Sequence, residues 1–223
     1  FRDPRIRLYS QENRGVSVAR NLGLSCLQGD FFTFLDADDE LPPDSLRAQV
    51  QEMMRRPELD FLAGQVETRD AGDALVAVWV PEFSGDPLRQ FVRLNSRVFF
   101  GVCLFVRRDP SLLYAFRDGL THCEDLLFFV DIASQGACGY GTTPETTYIR
   151  RLFSNSAMTN LDGLAKGYRF LFKVVWHLSD PRLSIADKVY LKLRYTRIMF
   201  LSYLRAGRLL RALGMTRDLL GLR

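Results

Sequence analysis

The sequence predicts an α/β fold, in which a mostly parallel central sheet is flanked by helices and followed by a C-terminal helical tail. Over the first 70 residues, segments typical of strands alternate with segments typical of helices, and such alternation favours a parallel sheet covered by helices. From residue 161 onward, apolar residues keep helical spacing instead. With 223 residues, 47% apolar and 25% charged, the chain can bury one substantial core.

Each element of the predicted core follows from a local pattern. Val18, Leu22 and Cys26 recur every four residues and predict a helix over residues 16–27, and Pro42 and Pro43 open a second helix that reaches about residue 54. The aromatic run at residues 31–35 is typical of a buried strand. Further strands are predicted at residues 6–9, 60–68, 98–106 and 146–151, a helix at 124–134, and an irregular loop at 70–95.

The tail is predicted to contain two helices, separated by Pro181. Ser184 and Asp187 have the spacing of a capping box at the start of the second helix. This helix is basic, with seven Lys or Arg and no acid between Lys188 and Arg211. It could lie on an anionic membrane surface, as a peripheral contact, or dock on the core with its charged ends in solvent.

The composition excludes several classes of protein. A net charge of +4 does not suggest a nucleic-acid-binding protein, whose basic residues should form a patch or stripe. The four cysteines form no C-x-x-C pair, which argues against structural zinc and favours reduced thiols in a cytoplasmic protein. No apolar stretch reaches the roughly 20 residues that span a bilayer. Because the chain begins with Phe1 rather than Met, we expect it to be part of a longer protein.

Two acids follow directly after the aromatic strand. Asp36 and Asp38 are two residues apart, so in extended chain both carboxylates point the same way. Hard cations such as Mg²⁺ are bound by one or two carboxylates together with substrate phosphates, and ligands of open α/β sheets bind beyond the carboxyl ends of strands. Taken alone, the pair is also compatible with a solvated turn.

The surrounding residues are more specific. QENRGVSVARN at 11–21, followed by GDFFTFLDADD at 29–39, resembles the pattern N-x-G-x-x-x-A-R-N…G-x-x-x-x-x-L-D-x-D-D of family 2 glycosyltransferases, which have the Rossmann-like GT-A fold. The resemblance implies a divalent metal, Mn²⁺ or Mg²⁺, on Asp38, and contact of Asp36 with the donor ribose or the metal shell. It also implies that Arg20 and Asn21 shape the donor pocket; otherwise they are a helix-surface arginine and a capping asparagine.

Glu124 and Asp125 lie at the start of the apolar helix predicted at residues 124–134. Acids there stabilise a helix dipole without any chemistry. Similar glycosyltransferases carry an E-D pair about 90 residues after the acidic turn, which implies that Asp125 is the catalytic base and that Glu124 contacts the acceptor. The segment from Tyr148 to Thr159 loosely resembles the stretch that closes the donor site, and we assign Arg151 to the diphosphate, although the sequence does not distinguish it from Arg150.

The resemblance runs from about residue 5 to residue 159, so we expect a catalytic core at 1–159 and a helical segment at 160–223. The first strands of the family, which hold the nucleotide base, have no counterpart, so the fold is expected to be partial. We therefore expect weak or no donor binding by residues 1–223 alone. Micromolar affinity for a nucleoside diphosphate with Mn²⁺, measured by isothermal titration, would contradict this expectation.

The resemblance implies an inverting transfer of a sugar from a nucleotide-sugar donor to a hydroxyl of a glycan or lipid-linked acceptor, in glycan or polysaccharide synthesis. The thiols favour a cytoplasmic location, which would be the inner face of the membrane if the basic helix binds there. Two alternatives remain open from the sequence. A nucleotidyltransferase of similar fold uses acids after strands in the same way, and a non-catalytic nucleotide-sugar-binding module would bind the donor without turnover.

Overall fold

The computed structural model describes residues 3–152 and 159–220, and five strands and seven helices lie within these ranges. The strands are β1 (Phe31–Phe32), β2 (Phe61–Arg69), β3 (Leu75–Trp79), β4 (Phe105–Arg107) and β5 (Tyr140–Arg151). The helices are α1 (Val16–Ser25), α2 (Ser45–Arg55), α3 (Leu88–Val92), α4 (Glu124–Ala133), α5 (Leu161–His177), α6 (Ile185–Arg205) and α7 (Leu209–Leu220).

The α/β class is confirmed, but the prediction of a mostly parallel sheet is wrong. The sheet is mixed, and β2 lies at its centre. β5 runs parallel to β2, whereas β3 and β4 pair with β2 in the antiparallel direction, and β1 is antiparallel to β4. The sequence patterns did not reveal the direct turn from β2 to β3, and strands joined by a short turn must be antiparallel.

Asp70 builds that turn. Its carboxylate accepts hydrogen bonds from the amides of Gly72 (2.9 Å) and Ala74 (3.0 Å), and Asp73 adopts a left-handed conformation with φ of 70°. β3 is almost wholly exposed, so it lacks the apolar alternation by which a half-buried strand is recognised. This explains why residues 70–95 were predicted to be an irregular loop, although they contain β3 and the short helix α3.

Other strand predictions were wrong in extent. Residues 6–9 form no strand with any residue in the described ranges, and Leu8 is exposed. Only Phe31–Phe32 of the predicted strand at 31–35 are paired, and of that at 98–106 only the last two residues are, since β4 is Phe105–Arg107. β5 begins at Tyr140, six residues before the predicted start. Apolar content was the common signal, but an apolar run does not show whether the backbone is paired: residues 6–9 are exposed, and most of 98–104 is buried or half-buried without being paired.

The predicted helices at 16–27, 42–54, 124–134 and 161–176 correspond to α1, α2, α4 and α5, and the capping box of α6 is confirmed. Asp187, at the third position of α6, accepts hydrogen bonds from Ser184, from Arg89 Nε at 2.8 Å and from Arg93 Nη1 at 2.9 Å. Burial alone would raise the pKa of Asp187, but these donors outweigh burial and hold the pKa well below its ordinary value. These bonds tie α6 to α3, and one buried apolar cluster includes residues from both sides of the predicted boundary at 159.

None of the helices in the described part of the chain is long and apolar enough to cross a membrane. Cys26, Cys103, Cys123 and Cys138 are all free thiols.

Candidate active site

A cavity of about 410 Å³ opens where the turn after β1, the start of α4 and the end of β5 meet. The turn supplies Asp36, Asp38 and Asp39, and α4 supplies Glu124 and Asp125. The structure therefore brings together two acidic motifs that are more than 80 residues apart in the sequence. The remaining lining residues belong to the segment before β4, to the loop before α4, to β2, β5 and α5: Val66, Phe99, Gly101, Val102, Cys103, Thr121, His122, Cys123, Tyr148, Arg150, Arg151 and Leu164.

Asp39 attaches the acidic turn to the end of β5. Its carboxylate accepts hydrogen bonds from the Tyr148 hydroxyl and from the Arg151 amide, the latter at 2.8 Å. Glu40 and Ile149 exchange two backbone hydrogen bonds next to it. Burial raises the pKa of Asp39, and the hydrogen bonds from Tyr148 and Arg151 counteract this effect. Asp39 is thus occupied with holding the turn in place.

Asp38 differs from its neighbour. It is exposed at the cavity, and it makes no hydrogen bond or ion pair with any residue in the described ranges. An exposed carboxylate that is left available by the protein is suited to a hard cation, which keeps waters and takes further oxygen ligands from a phosphate substrate.

Arg20 connects the two acidic motifs. Its guanidinium donates to Asp36 at 2.8 Å and to Glu124 at 3.1 Å, and it lies 5.3 Å from the centre of the Phe116 ring. The Arg20 and Glu124 side chains are only 10% and 13% exposed, so water screens their ion pair weakly, whereas Asp36 is 42% exposed. Arg20 is not one of the residues that line the cavity, but it pairs with two that do and so fixes Asp36 of the turn relative to Glu124 of α4.

Asn21, the neighbour of Arg20 on α1, binds the backbone of Phe116. Its side-chain amide donates to the Phe116 carbonyl at 2.9 Å, and its side-chain oxygen accepts from the Phe116 amide at 2.7 Å. Asn21 does not line the cavity. Its two hydrogen bonds fix the backbone at Phe116, whose ring lies against Arg20. Asn21 therefore supports the position of Arg20 indirectly.

The start of α4 is shaped by the packing of α5 against it. Cys123 has a left-handed conformation with φ of 61°, and a side chain at Gly167 of α5 would lie 2.5 Å from the His122 carbonyl oxygen. Only glycine allows α5 to approach this closely, because any Cβ would displace the backbone before α4. Glu124 and Asp125, the first residues of α4, line the cavity next to this contact.

Asp125 is the acid with the most unusual environment. Burial raises its pKa to about 6, and repulsion from Glu124 contributes, while the Leu126 amide (2.7 Å) and Arg20 counteract the increase. A carboxylate with a pKa near neutrality is a better proton acceptor than an ordinary aspartate, and catalytic acids and bases are often tuned in this way.

The two arginines at the end of β5 differ in their partners. Arg151, which was assigned to the diphosphate, donates to Glu40 at 2.8 Å and to Asp73 at 2.5 Å, so two carboxylates already neutralise it. Arg150 is exposed at the cavity, and the structure gives it a single bond, to Thr68 at 3.2 Å. Residues 153–158, the rest of the predicted donor-closing segment up to Thr159, lie outside the described residues.

The sequence patterns gave no role to Asp39, Tyr148 or His122, which all line the cavity. The first two were visible as the last acid of D-x-D-D and the tyrosine of Y-x-R, but their mutual hydrogen bond depends on the tertiary structure. His122 is buried, and its Nδ1 lies 2.9 Å from the Thr121 hydroxyl.

The described ranges contain no cluster of three or more His, Cys, Asp or Glu side chains that could hold a metal by themselves. Asp38, with Asp36 beside it, nevertheless fits a cation that takes most of its ligands from water and a diphosphate. The donor set therefore suits a metal that binds together with its substrate.

A mixed sheet with an acidic turn after an edge strand, facing the acids of a helix N-terminus, defines an α/β protein of the GT-A type. The structure is similar to that of S. aureus TarS residues 1–349 in complex with UDP-GlcNAc, with a TM-score of 0.63 and 18% identity over 92% of this chain and 62% of that one. The sequence model of glycosyl transferase family 2 matches residues 1–112, and the chain belongs to this family.

Two curated relatives agree with this assignment. The chain is 27% identical over 178 residues to the putative teichuronic acid biosynthesis glycosyltransferase TuaG of Bacillus subtilis, which covers 79% of this chain and 68% of TuaG. It is 24% identical over 186 residues to an uncharacterised glycosyltransferase of Rickettsia felis, covering 82% of this chain and 30% of that protein. The chain thus spans between about a third and two thirds of the length of these relatives.

Proposed function

We propose that the protein transfers a sugar, with inversion, from a nucleotide-diphosphate sugar to a hydroxyl of a glycan or lipid-linked acceptor. The observation that carries the proposal is that Asp38 and Asp125 line the same cavity. The similar TarS structure is a complex with UDP-GlcNAc, which supports a nucleotide sugar as the class of donor. A nucleotidyltransferase is disfavoured because the family match covers half of the chain.

Asp125 would act as the general base. As the acceptor oxygen bonds to the anomeric carbon, its proton passes to the Asp125 carboxylate, and the bond from that carbon to the diphosphate oxygen breaks with its electron pair on the diphosphate. A single displacement of this kind inverts the anomeric centre. Glu124 is held by Arg20 at the entrance to the same site, where it would contact the acceptor.

The residues available for a cofactor are Asp38 and, beside it, Asp36. A divalent cation held there, Mn²⁺ or Mg²⁺, would supply Lewis-acid charge that stabilises the departing nucleoside diphosphate. Arg20 limits the role of Asp36 because it already neutralises one of its oxygens.

The test is nucleoside diphosphate release from a panel of nucleotide sugars, using the protein as its gene encodes it, with Mn²⁺, with Mg²⁺ and with a chelator. We expect the release to require the cation, and we expect its rate to fall by about 10²-fold in Asp38→Asn. Asp70→Asn, which alters an acid of the β2–β3 turn outside the cavity, is the control. Tight donor binding without release would indicate a binding module instead.

Arg150 and Arg151 can be separated by the same assay. We expect Arg150→Ala to lower kcat by about 10²-fold, because a fixed cation facing the developing charge of the diphosphate is lost. Arg151→Ala should change kcat by less than about tenfold, since its guanidinium is bound by Glu40 and Asp73. A larger loss of kcat in Arg151→Ala than in Arg150→Ala would instead support the assignment of Arg151 to the diphosphate.

A further inference from the structure

The helical tail carries the positive charge of the protein. Residues 161–205, which form α5, α6 and their connection, contain nine Lys or Arg and three Asp, for a net charge of +6. Because the whole chain carries +4, the remaining residues carry −2. The basic character of the chain is therefore a property of one structural region.

Each of the three acids of this region has an arginine as its partner. Asp187 is buried and held by Arg89 and Arg93, and Asp180 forms an ion pair with Arg182 at 2.6 Å. Asp162 accepts a hydrogen bond from the Tyr203 hydroxyl at 2.7 Å and lies near Arg208. The acids are thus paired with arginines, whereas Lys166, Lys173, Arg197 and Arg205 are exposed and have no acid of this region as a partner.

One stripe of α6 faces outward and contains apolar and basic residues alone. Residues four apart are neighbours on a helix and are offset by about 40°. The exposed residues Ile185, Val189, Leu193 and Arg197 therefore share one face, and Leu201 and Arg205 continue the stripe around the helix. The apolar members are 38–73% exposed. A helix face that meets only water is normally polar, so this composition points to a surface that is covered by something else.

The stripe continues into an apolar groove between α5 and α6. The groove has a volume of about 420 Å³ and is lined by Phe172, Trp176, Val189, Lys192 and Leu193. Trp176 is exposed, and the Lys192 ammonium lies 5.7 Å from the centre of the Phe172 ring. An indole and branched side chains beside lysines match the arrangement by which interfacial helices insert an apolar face between anionic headgroups.

We propose that this α5–α6 face, consisting of the α6 stripe and the adjoining groove, is a docking surface for a bilayer that contains anionic phospholipids. The charge complementarity argues for lipid rather than for a second copy of the chain, because two such basic faces would repel each other. The inference goes beyond the proposed function, and it holds whether or not the cavity is catalytic.

The α5–α6 face lies close to the cavity, because α5 contributes residues to both. Leu164 in the first turn of α5 lines the cavity, and Trp176 lies twelve residues further along the same helix. At 1.5 Å per residue, the two ends are about 18 Å apart. A bilayer on this face would therefore lie within reach of the site for a lipid-linked acceptor.

The experiment is co-sedimentation of the protein with vesicles of phosphatidylcholine alone and of phosphatidylcholine mixed with phosphatidylglycerol. We expect binding to the mixed vesicles only, weakened by salt. Leu193→Asp and Arg197→Glu should each lower the partition coefficient at least about tenfold, since a basic residue near an anionic surface contributes roughly one factor of five and a reversed charge repels.

The matched controls alter the same types of residue on the sheet and on α2. Leu75→Asp changes an exposed apolar residue of β3, and Arg47→Glu reverses an exposed charge of α2. Both should bind mixed vesicles like the parent protein, and circular dichroism checks that all variants are folded. Absence of binding to mixed vesicles, or equal binding by Leu193→Asp and the parent, would overturn the proposal. A concentration-dependent dimer that Leu193→Asp abolishes would also overturn it and assign the face to self-association.

Discussion

Replacing Asp125 with Asn is expected to lower the rate of sugar transfer by about 10²–10⁴-fold, because an amide cannot accept the proton of the acceptor hydroxyl. The shape of the side chain is kept, and the amide oxygen can still accept the hydrogen bond from Leu126. Donor affinity should change little, so the loss should appear in kcat. The measurement is nucleoside diphosphate release under saturating donor, with Asp131→Asn, on the outer side of the same helix, as the control.

The same variant should be more stable than the parent at neutral pH. Burial raises the pKa of Asp125 from its ordinary value to about 6, so the ionised form destabilises the folded state above that pH. The penalty is absent below the unfolded pKa, develops as pH rises from that value to about 6 and is constant above it. Urea unfolding should therefore show Asp125→Asn to be more stable by on the order of 1–3 kcal/mol at pH 7, with the difference vanishing below about pH 3.

These two results together would separate a catalytic base from a structural acid. Neutralising a structural acid that is paired in the folded state would lower the stability of the protein. Neutralising a base that is kept in an unfavourable environment for its chemistry should raise the stability of the protein. The parent enzyme should also lose kcat as pH falls below about 6, because protonated Asp125 no longer accepts a proton. Turnover within tenfold of the parent, or a loss of stability at pH 7, would contradict the assignment.

Replacing Arg20 with Ala is expected to cost about 10²-fold in kcat/KM and about 3 kcal/mol in the free energy of unfolding. The substitution leaves Glu124, only 13% exposed, without its partner, and it releases Asp36 from the start of α4. Both carboxylates would then repel Asp125 without a compensating positive charge. The acidic limb of the pH–rate profile should consequently move to higher pH, because the Arg20 charge lowers the pKa of Asp125.

The pH shift distinguishes Arg20 from an arginine that merely stabilises α4. Arg117 pairs with Asp131 of the same helix at 2.8 Å but outside the cavity, so Arg117→Ala should leave the pH–rate profile unchanged. Arg20→Lys keeps the positive charge but lacks the forked geometry that reaches two carboxylates. We therefore expect its acidic limb to lie at the pH of the parent enzyme, while kcat/KM recovers only in part. An unshifted pH limb in Arg20→Ala would show that Arg20 has no electrostatic effect on the base.

Local patterns in the sequence were informative where the structure depends on near neighbours. The helical spacing of Val18 and Leu22, the capping box of Ser184 and Asp187, and the acidic turn after Phe31–Phe32 all lie where they were predicted. Strand extents were predicted poorly, since an apolar run shows burial but does not show whether the backbone is paired. β3 was missed for the opposite reason, because its exposed residues carry no apolar alternation.

The sequence by itself determined that this is an α/β protein with two acidic motifs of a family 2 glycosyltransferase and a basic helical tail. Only the tertiary structure decided that Arg20 joins those motifs, that Asn21 supports the backbone at Phe116, and that Arg151 is neutralised while Arg150 faces the cavity. The physical reason is that ion pairs and hydrogen bonds between residues about 100 positions apart depend on how elements pack, and a pattern along the chain carries no record of that packing.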